Sequence, residues 1–166
     1  LSEEKGVENL IKACSCLSYD YKLIIVGEGS KKKKIWGLIK KLNMEKKVHV
    51  KNFIKHEKLP EVYSSSDVVV VPSIKEPFGF VTLESLSCGV PVIASDVGGM
   101  KDIVNDKVGL KVKAKDINSL TNALIKIHNL EFRKSLQKNC RKYIQANYSW
   151  ENVVEKYLRV YRGELI

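Results

Sequence analysis

Residues 72–99 read PSIKEPFGFVTLESLSCGVPVIASDVGG. Two carboxylates, Glu76 and Glu84, stand eight positions apart in this stretch, and the turn Pro77-Phe78-Gly79-Phe80 between them opens a helix. A helix start offers free backbone N–H groups and the positive end of a dipole, so it attracts phosphate. Carboxylates beside such a start accept hydrogen bonds from hydroxyl groups. Amides for phosphate and acids for hydroxyls describe a nucleotide-sugar pocket better than a metal or nucleophile site.

Outward from this stretch, apolar runs and helical patterns alternate. Val7 to Leu17 is expected to be helical, with Val7, Leu10, Ile11 and Cys14 at three- and four-residue spacing. The β-branched run Lys22 to Val26 ends at Gly27-Glu28-Gly29. Lys31 to Leu42 reads as a helix, Val48 to Val50 as a strand and Lys58 to Ser65 as a short helix. Asp67 to Val71 holds four consecutive valines and is expected to be a strand buried on both faces. Helix Phe80 to Cys88, strand Pro91 to Ser95, short helix Lys101 to Val104 and strand Gly109 to Val112 follow. Three helices close the chain, Ile117 to Leu130, Glu131 to Asn147 and Trp150 to Gly163, the last with Ser149 as N-cap. Strand–helix alternation with apolar strands predicts an α/β fold, a doubly wound, Rossmann-like parallel sheet of about five strands covered on both faces. Ligands bind such open sheets at the carboxyl ends of the strands. The loops expected there are Gly27–Ser30, Asn52–His56, Pro72–Gly79 and Ser95–Gly99, where the glycines and acids cluster.

Length and composition agree. The 166 residues suit one domain with a real core, and 44% hydrophobic with 29% charged residues is a globular balance. The sequence shows neither a signal peptide nor an apolar run approaching the roughly 18 residues of a membrane span. The first residue is Leu1, not Met, so the chain is expected to be cut from something longer. Cys14, Cys16, Cys88 and Cys140 form no C-x-x-C pair and are expected to be reduced and mostly buried, in a cytoplasmic protein. The net charge of +10, mostly lysine, draws anions. The run Lys31 to Lys34 reads as a solvated first helical turn, with an anionic membrane surface as the alternative. Nucleic acid is not expected as a partner, because aromatic residues are not interleaved with the lysines and no nucleic-acid motif occurs. His49, His56 and His128 lack ligand spacing, so no metal is expected.

The spacing of Glu76 and Glu84 around Pro77-Phe78-Gly79 resembles the E-x7-E motif of retaining glycosyltransferases of the GT-B fold, closest to family 4. That family includes glycogen-synthase-like, sucrose-synthase-like and lipid-directed mannosyl- and glucosyltransferases. Glu4-Lys5-Gly6 is similar to the motif after the first strand of its donor domain, and Gly27-Glu28-Gly29 to its G-x-G turn. Cys88 to Ser95 with Gly98-Gly99, and Tyr148-Ser149-Trp150-Glu151, resemble two later motifs in the same order.

The resemblance implies a single donor-binding domain over residues 1–166, one lobe of a GT-B fold with C-terminal helices. The N-terminal acceptor domain, the first strand and a phosphate-binding Arg just before Leu1 would lie upstream. It implies sugar transfer from a nucleoside diphosphate, UDP or GDP, to an acceptor hydroxyl, with no cofactor and no metal. By the same resemblance, Lys5 neutralises the diphosphate leaving group and Glu76 binds the hydroxyls of the transferred sugar. The amides of Phe78, Gly79, Phe80 and Val81 hold sugar and phosphate, and Glu84 accepts the ribose hydroxyls. Asn52 and Phe53 frame the base, and Gly27 and Gly29 line the nucleotide side. The location would be cytoplasmic, with contact to the inner face of a membrane as an option. A glycosidase pairing of the two acids fits less well, since those carboxyls face each other about 5 to 10 Å apart across the bond. The other alternative is a non-catalytic, flavodoxin-like nucleotide-binding module.

Overall fold

A short turn of 3-10 helix at Glu3–Lys5 leads into α1, Val7–Ser15, and a strand, β1, Leu23–Val26, follows. The computed structural model describes residues 1–164. The order continues with α2 (Lys32–Lys41), β2 (Val48–Lys51), a second 3-10 turn (His56–Lys58) and α3 (Leu59–Ser64). Then come β3 (Val69–Val71), α4 (Phe80–Ser87), β4 (Val92–Ser95), α5 (Met100–Ile103) and β5 (Gly109–Val112). Three helices finish it: α6 (Ile117–His128), α7 (Leu130–Tyr148) and α8 (Trp150–Tyr161). Every expected element is present, with ends moved by at most two residues. Leu130 opens α7 instead of closing α6, because the Asn129 side chain accepts the Phe132 amide and caps the later helix. Ser149 caps α8 as expected, accepting from the Asn152 amide.

All strand pairs are parallel, as a βαβ chain requires. They fall into two ladders among the described residues, β1–β2 and β3–β4–β5. The expected single sheet is therefore divided into two parts. One apolar cluster still spans the break, joining Ile25 and Val48 of the first ladder to Ile93 and Val112 of the second. Helices α1, α2 and α6 supply Leu10, Ile11, Ile35, Ile39, Leu120 and Leu124 to it. A second cluster under α4, α5 and α7 holds Val71, Leu86, Val92, Met100, Ile103, Cys140 and Ile144. The four-valine strand is shorter and less covered than expected: Val69 and Val70 are only half-buried, because β3 has a neighbour on one side alone.

The cysteines split into two pairs. Cys14 and Cys140 are buried in the two clusters, and burial pushes both thiols up to about 12. Cys16 is exposed and Cys88 partly so, against the expectation of burial, because each sits just past a helix end, α1 and α4 respectively. A thiol reagent at pH 8 should label Cys16 promptly and Cys14 and Cys140 only as slowly as the core opens. Peptide mass spectrometry of a time course reads this directly, and prompt labelling of Cys14 would show that α1 is not packed as described. No described helix is long and apolar enough to cross a membrane.

Candidate active site

The strands end in one direction, and the loops beyond their carboxyl ends gather the predicted residues. The Glu3–Lys5 turn docks on the loop after β3, where the Ile74 amide donates to the Glu4 carbonyl at 2.6 Å. This contact sets Lys5 against Glu76: Nζ lies 2.8 Å from Oε2. The Ser73 hydroxyl, buried at the end of β3, donates to the same oxygen at 3.3 Å. Glu76 is 15% exposed in its side chain and Lys5 52%, so the pair is anchored on the acid and open on the base. A pair this exposed contributes about 1 kcal/mol or less, and Lys5 can exchange its partner for an incoming anion.

Helix α4 starts behind this pair. Gly79 is its N-cap, in a left-handed conformation with φ 100°. A Cβ there would lie 2.9 Å from the Met100 Cγ, so glycine fits both the backbone turn and the packing. The amides of Phe78, Gly79, Phe80 and Val81 donate no backbone hydrogen bond among the described residues. They are the free donors a helix start presents. The rings of Phe78 and Phe80 stand 4.7 Å apart and are exposed, with Val81 beside them. An exposed apolar rim around free amides suits a ligand with both an apolar face and negative charge.

Glu84 is on the second turn of α4, away from Glu76, and no hydrogen bond joins the two acids. Its Oε2 accepts the Tyr63 hydroxyl at 2.7 Å, and its Oε1 lies 4.0 Å from His56 Nδ1. The Tyr63 phenol is pushed well above its usual range, chiefly by burial and then by its hydrogen bond to Glu84. On the far side, Asn52 accepts from Lys32, and the Gly27 amide donates to the Lys51 carbonyl at 3.1 Å. Phe53 is 74% exposed, open to a ligand. Gly29 packs on the backbone of Leu1, whose carbonyl accepts from Lys31. The site is an open ledge of exposed side chains, and two hollows of about 440 and 260 Å³ elsewhere on the surface are lined by neither Glu76 nor Glu84.

Three side chains at the ledge were not singled out as site residues from the sequence: Ser73, His56 and Tyr63. Tyr63 lies 21 positions before Glu84, and no local pattern links them. The lysine run is a helix turn, as read. Lys31 pairs with Glu3 at 3.3 Å and Lys34 with Glu8 at 2.8 Å, which offsets positive charge at the positive end of α2.

The sequence model of the family Glycosyl transferases group 1 matches residues 1–148. An uncharacterized glycosyltransferase of Methanocaldococcus jannaschii is 34% identical over 166 residues, which is 98% of this chain and 43% of that protein. Among solved structures, a sucrose-phosphate synthase from Thermosynechococcus elongatus superposes with a TM-score of 0.87 at 34% identity, covering 98% of this chain and 43% of that one. The C-terminal domain of a group 1 family protein, LpcC from Francisella tularensis, gives 0.82 at 25% identity, covering 90% of this chain and 83% of that one. The chain thus spans less than half the length of its full-length relatives and most of an isolated C-terminal domain. A parallel α/β fold with acids on either side of a free helix start, matched over nearly its whole length by these proteins, belongs to the group 1 glycosyl transferases as a C-terminal GT-B domain.

Proposed function

We propose that this domain binds a nucleoside-diphosphate sugar and that the longer protein transfers the sugar to an acceptor hydroxyl with retention of configuration. The observation that carries the reading is the start of α4, four free amides placed between Glu76 and Glu84. In this reading the diphosphate takes the amides and Lys5, whose charge stabilises the leaving group in the transition state. Glu76 receives the hydroxyls of the transferred sugar, and Glu84 receives those of the ribose. Asn52, Phe53, Gly27 and Gly29 border the base. Neither a metal nor another cofactor has a part in the scheme. The four free cysteines fit a reducing, cytoplasmic compartment. The pairing of Lys31 and Lys34 favours a solvated helix turn over a membrane contact.

The open ledge and helix α8 support a second domain as partner. Trp150, Val154, Tyr157, Leu158 and Tyr161 share one stripe of α8 and are 40–85% exposed. Glu155, Lys156 and Arg159 lie on the opposite side. A polar face that mixes Glu155 with Lys156 and Arg159, beside an aromatic stripe, suits a protein surface better than an anionic membrane. The occupant in this scheme is the acceptor domain of the same longer protein. In the full-length protein, Tyr157→Glu should loosen the two lobes, seen as a larger radius of gyration by X-ray scattering. An unchanged radius and unchanged melting would count against this docking.

The direct test is a thermal-shift panel of UDP, GDP and ADP with their sugars, since a ligand bound only to the folded state raises its stability. Glu84→Ala should then weaken nucleoside diphosphate binding more than pyrophosphate binding, read by calorimetry. Equal loss for both would remove the ribose role of Glu84. The 166-residue chain alone should show no transfer, and sugar transfer by it would overturn the need for an acceptor domain.

A further inference from the structure

Glu84 does not present both carboxylate oxygens to the ledge. Its Oε2 is taken by the Tyr63 hydroxyl at 2.7 Å, while Oε1 faces outward toward His56 Nδ1 at 4.0 Å. That second separation exceeds a hydrogen bond, so Oε1 keeps its lone pairs. A phenol has one proton to give, and Tyr63 gives it here. Tyr63 is on α3, which packs against α4 and is joined by the His56–Lys58 turn to the loop that carries Asn52 and Phe53.

A glutamate on a helix surface has three torsions, and its terminal carboxylate torsion is broad. Left alone, Glu84 would spread its charge over several positions. One short hydrogen bond from a half-buried ring removes most of that freedom. We infer that Tyr63 is a positioning residue for nucleotide recognition, holding Glu84 by Oε2 so that Oε1 is fixed toward the ribose hydroxyls. The inference rests on the nucleotide-sugar reading and adds the residue that orients its ribose acid. One oxygen has two lone-pair directions, enough for two vicinal hydroxyls. Because α3 continues from the 52–56 loop, the same segment that borders the base also aims the ribose acid.

The test uses the full-length protein and calorimetry with the tightest of UDP, GDP and ADP, alongside its 2′,3′-dideoxy analogue. Tyr63→Phe removes only the hydroxyl. It should weaken the ribonucleotide roughly 5- to 20-fold, at or below the low end for one charge-assisted hydrogen bond because the effect passes through Glu84, and the dideoxy analogue less than about 2-fold. Glu84→Gln, which keeps size and leaves Tyr63 in place, should reduce the same discrimination. Adding Tyr63→Phe to Glu84→Gln should cost little more, since the two act through one contact. Equal weakening of both nucleotides by Tyr63→Phe would mean that Tyr63 merely supports α3, and would overturn the proposal. So would an unchanged ratio in a folded Tyr63→Phe protein. Equal binding of both nucleotides by the unaltered protein would overturn the ribose reading itself, and that failure shows before any substitution is made.

Discussion

Glu76→Gln in the full-length protein should lower turnover about 10- to 200-fold while nucleoside diphosphate affinity changes less than about 3-fold. The swap keeps size, and Glu76 is held at the ledge by Lys5 and Ser73 and not in the apolar core, so the fold should persist. What disappears is a charge-assisted hydrogen bond to the sugar, on the order of 1.5 to 3 kcal/mol. If that bond strengthens in the transition state, its loss falls on turnover. Lys5 loses its carboxylate in the variant, but it is half exposed and solvent takes up most of the difference. Nucleotide binding should therefore change little or improve slightly. Steady-state kinetics beside a UDP or GDP titration decides the matter. A variant whose main defect is nucleotide affinity would remove Glu76 from the sugar side. Normal turnover would leave the non-catalytic module as the better account.

Gly98→Ala should have the largest effect on the fold near the site. Gly98 has φ 50°, and a Cβ there would lie 1.6 Å from the Glu76 carbonyl oxygen. The obstacle is backbone, so the loop after β3 would have to move as a whole. The left-handed conformation costs an alanine roughly 1 kcal/mol and the overlap roughly 1 to 3 more, a fall in melting temperature of about 5 to 15 °C. A displacement of about 1 Å in the loop that carries Glu76 would cost turnover on the order of 100-fold. Gly89→Ala is the control. Its φ of 79° is also left-handed, but nothing lies within 4 Å of the added carbon. It should show only the smaller backbone cost and near-normal turnover. Calorimetric melting of the two variants, with kinetics, separates clash from conformation. A Gly98→Ala protein that melts with the Gly89→Ala control would show that the two loops are not in contact as described.

Element order was legible because β1, β3 and β4 are short β-branched runs ended by glycine, proline or serine, and each long helix carries its own apolar period. The acids could be read because Glu76 and Glu84 flank a helix start only a few residues long. The break between the two ladders was not legible in composition: Val68 to Val71 look equally apolar, yet three of them are only half-covered where β3 has a neighbour on one side alone. Tyr63 escaped notice because its bond to Glu84 joins two helices across a strand and a loop, a relation that only packing creates. Ser73 was hidden for the same reason, as a small residue whose burial depends on β3 ending where it does.

The Lys5–Glu76 pair has a consequence for discrimination among anions. The cation and the acid neutralise each other at 2.8 Å. A bare phosphate that took Lys5 would strand Glu76, half-buried, without its countercharge. A neutral sugar that took Glu76 would release Lys5, which is half exposed, to solvent at little cost. Only a molecule carrying phosphate and sugar on one frame replaces both partners at once. In this scheme the pair tilts the site toward the conjugate over a bare phosphate, a bias of about 1 kcal/mol or less.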